Sequence, residues 1–160
     1  MRWTPESNKV DQEAIDTRSG PMLCALIDMG YLTGQAIGDL LALEWTDLGR
    51  DGIFFARAMV SKSTNAKVVI GWTPKLRDVE RRLKELRKER RAFGTKVFCR
   101  QDGQPYTYSG VRSAWSRTLA RAAGVAHCTF HDIKAKALTD KDAREGIGEA
   151  RSWASTRLKR

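Results

Sequence analysis

The sequence predicts a single mixed α+β domain that is mostly helical and carries a small antiparallel sheet. Its 160 residues suit one hydrophobic core. In several segments apolar residues recur at helical spacing. Between two of these segments, short apolar runs flank a polar stretch in the manner of a β-hairpin. Together these patterns favour a mostly helical domain with a small antiparallel sheet.

The N-terminal part of the chain predicts an arm followed by two helices. Residues 1–19 are polar and weakly periodic, and we interpret them as a linker or arm before one domain over 20–160. Helical spacing of Leu23, Leu26 and Ile27 predicts a first helix from Pro21 to Gly30. After a break at Thr33-Gly34, a second helix is expected to use these apolar positions: Ile37, Leu40, Leu41 and Trp45.

Residues 52–72 predict strands. Ile53-Phe54-Phe55 is a short apolar run, and two further runs, 58–60 and 68–70, flank the polar stretch 61–66 as in a hairpin. Thr73-Pro74 is typical of a helix start, with a cap residue before a proline. The long helix that follows is expected to end at Gly94, with Glu80 and Lys84 as an i,i+4 pair. Its predicted buried stripe is Leu76, Val79, Leu83 and Leu86.

The C-terminal half predicts a strand, a turn and two more helices. Residues 96–100 are typical of a short buried strand, and Asp102-Gly103 of a turn. Ser109 is expected to cap a helix that Gly124 stops, and another helix is expected to begin near His131. The first of these helices has Val111, Trp115 and Leu119 as its apolar positions. Residues 142–160 are expected to be partly helical.

The charge points to nucleic acid as a partner. The chain has a formal net charge of +10 and a pI near 9.9, and residues 75–100 are its most basic stretch. A solvated helix face is an equally good interpretation of that stretch alone. No apolar run is long enough to span a bilayer and the N-terminus does not resemble a signal peptide, so we expect a cytoplasmic protein. Cys24, Cys99 and Cys128 lack metal-ligand spacing and are interpreted as reduced structural residues.

Four segments, in this order, resemble the catalytic domain of the tyrosine recombinases, the phage-integrase family. They are Tyr31–Leu43, Ser61–Ser63 with Trp72–Pro74, Asp102–Tyr106 and Thr129–Ala137. The resemblance implies a fold of helices with a small antiparallel sheet and double-stranded DNA as the partner. It implies no metal or nucleotide cofactor. Self-association is a further expectation.

The family's chemistry decides which residues matter. A tyrosine attacks a DNA phosphate and forms a covalent phosphotyrosyl link. Two basic residues, usually arginines, hold the non-bridging oxygens, because a planar fork can donate two hydrogen bonds to the developing charge. A lysine on a hairpin and one or two histidines manage protons and packing.

Only some of the family's catalytic residues have a counterpart in this sequence. Lys62 matches the hairpin lysine, His131 the first histidine, and Asp39 the acidic residue that follows the first arginine. That arginine falls at Ala36, whose methyl group cannot bind phosphate. The second arginine falls at Lys134, which keeps the charge but loses the fork. The candidate catalytic residues are therefore Lys62, His131 and Lys134.

The last family motif, a Leu-Gly-His-like sequence before the tyrosine, has no clear counterpart. The nearest segment, Ser152–Ser155, lacks the histidine, and the nucleophile would lie beyond Arg160. Residues 20–160 are thus expected to form a catalytic domain without its C-terminal tyrosine segment. One hypothesis is a frameshifted tail, since a shifted frame across Trp153 and Ala154 can encode glycine within a similar motif; the gene sequence tests it. Tyr31, Tyr106 and Tyr108 are expected to be structural.

Three functional interpretations stay open at this point. The chain is a DNA-binding recombinase domain that does not cleave DNA, a truncated or frameshifted piece of an active integrase, or an interaction module that kept the fold and lost DNA binding. Loss of one preorganised donor typically slows catalysis by on the order of 100- to 1,000-fold, and loss of the nucleophile removes the covalent step. We therefore expect DNA binding without strand cleavage, and whether the chain is an enzyme is left open.

Overall fold

A computed structural model of the chain describes residues 20–56, 67–121 and 128–145. These ranges form helices and a two-stranded antiparallel sheet, so the predicted fold class is confirmed. The elements are α1 (Gly20–Thr33), α2 (Ile37–Ala42), a 3-10 turn (Trp45–Asp47), β1 (Gly52–Ala56), β2 (Lys67–Gly71), α3 (Pro74–Glu89), α4 (Tyr108–Arg121) and α5 (Phe130–Glu145). None of the helices within these ranges is long and apolar enough to cross a membrane.

Helix α1 is the centre of the core. Helices α2, α3 and α5 all pack against it, and its apolar residues are not confined to one face, as expected of a helix surrounded by other elements. Its buried residues are Gly20, Met22, Leu23, Cys24, Ala25, Leu26, Ile27, Met29, Gly30 and Thr33. The helix ends at Thr33, and the next residue, Gly34, takes a left-handed φ of 63°. The predicted break therefore lies where the sequence placed it.

The sheet pairs β1 with β2. Ile53 lies opposite Ile70 and Phe55 opposite Val68, and all four side chains are buried. Phe54 and its partner in the register lie on the other face, half-buried. The two predicted runs 53–55 and 68–70 are confirmed as strands. The predicted hairpin around 61–66 and the run 58–60 lie outside the described residues.

Helix α2 is shorter than predicted. It ends at Ala42, and Trp45 begins a separate 3-10 turn rather than a fourth apolar position of the helix. Leu43 is extended, with φ −59° and ψ 134°, and its carbonyl accepts a hydrogen bond from the Val97 N–H at 3.0 Å. The Trp45 N–H then donates to the Thr95 carbonyl at 2.9 Å. The backbone groups after α2 therefore make their hydrogen bonds with this distant segment instead of continuing the helix.

Helix α3 begins as predicted but ends earlier. The Thr73 hydroxyl accepts a hydrogen bond from the Leu76 N–H, and Pro74 opens the helix. Glu80 and Lys84 form the predicted pair at 2.8 Å. The helix ends at Glu89, five residues before Gly94, so the predicted end is wrong. Of the predicted stripe, three residues are buried and the fourth is half-buried: Leu76, Val79, Leu83 and Leu86.

A Schellman motif ends α3. Arg91 takes φ 49°, its N–H donates to the Lys88 carbonyl, and the Ala92 N–H donates to the Arg87 carbonyl. The Arg87 guanidinium donates in turn to the Ala92 and Gly94 carbonyls and lies 4.8 Å from the centre of the Trp45 ring. An arginine thus occupies the position where glycine is usual, and the side chain of Arg87 holds the turn.

Two further predictions need correction. Residues 96–100 form single bridges, Glu44 with Lys96 and Cys99 with Pro105, rather than a strand, because the two ends of this segment pair with different parts of the chain. Helix α4 begins at Tyr108, and its cap is Thr107 instead of Ser109, since the Thr107 hydroxyl accepts the Gly110 N–H at 3.1 Å. The turn at Asp102-Gly103 is confirmed, with φ 78° at the glycine.

Several predictions lie outside the described residues. These are the N-terminal arm over 1–19, the hairpin with Lys62, the stop at Gly124, His127, and the tail beyond Glu145 with Trp153. They stay predictions.

Candidate nucleic-acid interface

The N-terminal turn of α5 is held by a capping box. The Asp132 N–H donates to the Thr129 hydroxyl at 3.3 Å, and the Thr129 N–H donates to the Asp132 carboxylate at 2.7 Å. The Thr129 hydroxyl also donates to that carboxylate at 2.8 Å. These reciprocal bonds fix the backbone of the turn, and the Asp132 carboxylate serves as an acceptor within it. The turn is therefore preorganised.

Two of the three predicted site residues lie on this turn. His131 is exposed and Lys134 is half-exposed, and a spacing of three residues places them on one helix face. Within the described residues, neither makes a hydrogen bond or an ion pair. Both side chains are thus available to an anion, close to the end of the helix where backbone dipoles favour negative charge.

The third predicted site residue, Lys62, lies outside the described residues. The position matched to the family's first arginine lies at the start of α2. Ala36 is the N-cap residue of this helix and makes no side-chain capping bond, and Asp39 lies half-buried in its first turn. Leu40 packs close to Gly30, where an added Cβ would lie 3.2 Å from the leucine. Helix α2 is therefore fixed on α1, as α5 is, but Ala36 contributes no phosphate donor.

Trp115 joins α4 to the candidate turn. Its indole N–H donates to the Cys128 carbonyl at 2.6 Å, just before the capping box. Its ring lies 5.5 Å from that of Phe130, tilted by 40°. Because Trp115 is buried, this contact holds the first turn of α5 at a fixed position against α4.

A polar network joins α5 to α1 further along the helix. The Tyr31 hydroxyl donates to the Asp140 carboxylate at 2.6 Å, and Lys136 forms an ion pair with the same carboxylate. The side chains of Lys136 and Asp140 are only 17% and 24% exposed. Tyr31 therefore serves packing between helices, in agreement with the structural role predicted for it.

An open cleft of about 430 Å³ lies between the 100–107 loop and α4. Arg100 comes from the loop and Arg117 from the helix, with Ala114 one turn and Gly110 two turns before Arg117. Arg100 forms an exposed ion pair with Asp102 at 2.9 Å. The remaining lining residues are Gln101, Tyr106 and Thr107.

The described residues do not favour metal binding or thiol chemistry. They contain no group of three or more His, Cys, Asp or Glu suited to a metal ion. Burial raises the pKa of the Cys99 and Cys128 thiols, and Asp132 adds to the effect at Cys128. Thiolate nucleophiles are therefore disfavoured at neutral pH, which agrees with structural cysteines. None of the three cysteines forms a disulfide bond.

Comparison with solved structures identifies the fold. The catalytic core of lambda integrase matches with a TM-score of 0.72 and 18% identity, covering 92% of this chain and 90% of that one. The chain has the fold of the tyrosine-recombinase catalytic domain. Lambda integrase bound to DNA matches with a TM-score of 0.71 and 18% identity, covering 92% of this chain and 52% of that one. XerH recombinase bound to a palindromic substrate, in a post-cleavage complex, matches at 0.68 and 17%, covering 96% and 45%.

The chain thus spans most of the isolated recombinase core but about half of the longer DNA-bound recombinases. No protein-family model matches the chain, and no curated protein matches its sequence.

Within this recombinase fold, the structure brings His131 and Lys134 together, while Lys62 lies outside the described residues. Sequence reasoning missed the cleft. Its signal was present in the spacing of Gly110, Ala114 and Arg117, which places two small residues and a cation along one helix face. The loop residue Arg100 gave no such signal, because only the folded chain brings it to α4.

Proposed function

We propose that this chain binds double-stranded DNA through the phosphate backbone and does not cleave it. The observation that carries the proposal is the preorganised first turn of α5, which presents His131 and Lys134 from a recombinase fold. Two of the matched structures are described as bound to DNA or to a recombination substrate. The net charge of +10 supports the same partner.

The role of each residue follows from its chemistry. Lys134 supplies a point charge to a non-bridging phosphate oxygen, and His131 donates a ring N–H to the same group. Lys62, matched to the hairpin lysine of the resemblance, is proposed as a third donor. Since Lys134 lacks the planar fork of arginine, it holds a phosphate without fixing its orientation.

The lack of cleavage is proposed on three grounds. Ala36 provides no donor at the position of the first arginine, and Lys134 replaces the second. Of the three tyrosines in the sequence, Tyr31 donates its hydroxyl to Asp140. Tyr106 packs partly against the core and Tyr108 begins α4.

The first experiment measures binding to a generic DNA duplex across a salt series. We expect affinity to fall linearly with salt on logarithmic axes, and a Lys62→Ala, Lys134→Ala double variant to bind about tenfold more weakly. The control is Lys75→Ala, Lys88→Ala, which removes the same charge from exposed positions on α3. Equal loss in both variants would refute the phosphate site, and no binding by any protein would favour an interaction module.

A second experiment addresses cleavage. The chain is incubated with suicide-substrate DNA that traps a phosphotyrosyl adduct, and no covalent product is expected. An adduct on Tyr31, Tyr106 or Tyr108 would contradict the proposal.

Self-association is proposed only as a secondary property. Matched structures include a lambda integrase dimer and a tetramer on DNA. Sedimentation of this chain with and without duplex DNA tests whether it assembles in the same way.

A further inference from the structure

We propose that the cleft between the 100–107 loop and α4 is a second DNA contact, which holds a backbone phosphate between Arg100 and Arg117. The inference rests on the proposed DNA binding and adds a site separate from the turn of α5. The shape of the cleft, its charge and its connection to α5 support this second contact.

The shape of the cleft suits a chain phosphate better than a small metabolite. Metabolite sites are usually enclosed and mostly apolar. This cleft is open, about 430 Å³ in volume, and arginine, glutamine, threonine and aspartate side chains line it together with Tyr106 and two small residues of α4. Ala114 carries only a methyl group, so a ligand can come close to α4 there.

The charge around the cleft favours an anion. Helix α4 contains three arginines and no acidic residue: Arg112, Arg117 and Arg121. All three are exposed. A phosphate that enters the cleft meets donors from two elements, and guanidinium forks suit its tetrahedral oxygens.

One carboxylate opposes this arrangement. Asp102 lines the cleft and pairs with Arg100 through Oδ2 at 2.9 Å, while its Oδ1 accepts the Gln104 N–H at 3.1 Å. Both side chains of the pair are about half exposed, 59% and 49%. Exposed pairs of this kind are weak, so a phosphate can replace the carboxylate at Arg100.

The cleft and the turn of α5 are connected through Trp115. Trp115 joins α4 to the residues just before α5 through its bond to the Cys128 carbonyl. Arg117 lies two residues after Trp115, so it projects from nearly the opposite side of the helix. DNA held at both places would therefore meet two anchors at a fixed separation, which suits an extended backbone better than a free phosphate.

The test compares three proteins with the full chain in fluorescence anisotropy on a labelled duplex. Arg100→Gln, Arg117→Gln is expected to weaken binding about tenfold and to reduce the salt slope by about 1. The control Lys75→Gln, Arg81→Gln removes equal charge from exposed positions on α3 and is expected to change affinity by less than about threefold. Asp102→Asn keeps the Oδ1 contact to Gln104, frees Arg100, and is expected to strengthen binding.

Each outcome decides one question. Equal effects of the cleft variant and the control, or no gain from Asp102→Asn, would overturn the cleft as a phosphate site and leave the turn of α5 untouched. No binding by the full chain would overturn the proposed function, and the cleft as a DNA contact with it. Equal thermal midpoints among the proteins are the expected sign that the exposed substitutions leave the fold intact.

Discussion

Ala36 is the residue at which this chain departs most from the resemblance that its sequence suggests. It lies half-exposed at the N-cap of α2, where its methyl group makes no capping bond. A longer side chain can extend from this position without displacing a hydrogen bond. The missing donor is therefore a property of one side chain rather than of the backbone around it.

Restoring that donor is expected to increase DNA affinity. Ala36→Arg adds a charge-assisted contact to a backbone phosphate, which corresponds to about a tenfold gain and a salt slope steeper by about 1. The measurement is the salt series used for the full chain. Ala36→Gln has a long side chain without the charge, and an equal effect of the two substitutions would contradict the prediction.

Arg91 is an unusual residue for its position, because its backbone conformation is one that favours glycine. Its φ of 49° lies in the left-handed region, where a side chain costs roughly 1 kcal/mol and glycine costs little. We expect Arg91→Gly to raise the free energy of unfolding by about 0.5–1 kcal/mol, although the unfolded chain gains some entropy. Urea unfolding measures it. Arg91→Ala keeps the strain, and a glycine variant no more stable than the alanine variant would show the idea to be wrong.

At the scale of elements, α3 depends on a carboxylate that two cations share. Glu80 is buried in the core-facing side of the helix and bonds Arg77 and Lys84, each at 2.8 Å. Burial by itself would raise the pKa of Glu80, but hydrogen bonds from Lys84 and Arg77 outweigh it and hold the pKa below the ordinary value of 4.5. The charged form is thus favoured in the folded state.

This shift predicts a pH-dependent contribution to stability. A lowered folded pKa means that the stabilisation is complete above pH 4.5 and is lost as pH falls through the folded pKa. Glu80→Gln is expected to lower the free energy of unfolding by about 1 kcal/mol at neutral pH, with the gap closing in acid. Urea unfolding between pH 3 and 7 measures it, with Glu85→Gln on the exposed face as control. A gap that stays constant with pH would refute the assignment.

The elements differ in how far the sequence predicts them. Helix α1, the start of α3 and both strands follow from local patterns, because propensity, caps and burial agree there. The end of α2 could not be predicted, since Leu43 and Trp45 leave helical geometry to pair with residues 95–97, which are distant in sequence. The end of α3 was missed because the side chain of Arg87 stabilises a turn that would normally need glycine.

The candidate site follows the same rule. His131 and Lys134 could be predicted because one helical turn carries both, and local spacing fixes their relation. The contribution of Trp115 could not, because its bond to Cys128 depends on how two helices meet. Arg100 and Arg117 likewise come together only after the loop folds against α4.

At the scale of the whole molecule, α5 is attached to α1 in part through a network of polar side chains: Tyr31, Lys136 and Asp140. It is a polar link between α5 and α1, and it lies toward the C-terminal end of α5, away from the capping box. Its partners are largely shielded from water, so losing one of them exposes the others to an unfavourable environment.

We expect the free energy of unfolding to fall by different amounts when different members of this network are substituted. Tyr31→Phe removes one hydrogen bond and should cost about 1 kcal/mol. Asp140→Ala should cost more, because it leaves the shielded Lys136 charge without that carboxylate. Urea unfolding ranks the variants, and Tyr108→Phe at an exposed position serves as control. Equal costs for the tyrosine and aspartate variants would argue against a shared network.

The burial of α1 on nearly all sides has a consequence for synthesis of the chain. Helix α1 leaves the ribosome before α3, and α5 follows much later. At about 5–20 residues per second, the nascent chain presents its most apolar segment to solvent for seconds before both partners exist. During that interval α1 is the segment most prone to aggregation, so the yield of soluble protein should depend on chaperones that shield it until α5 emerges.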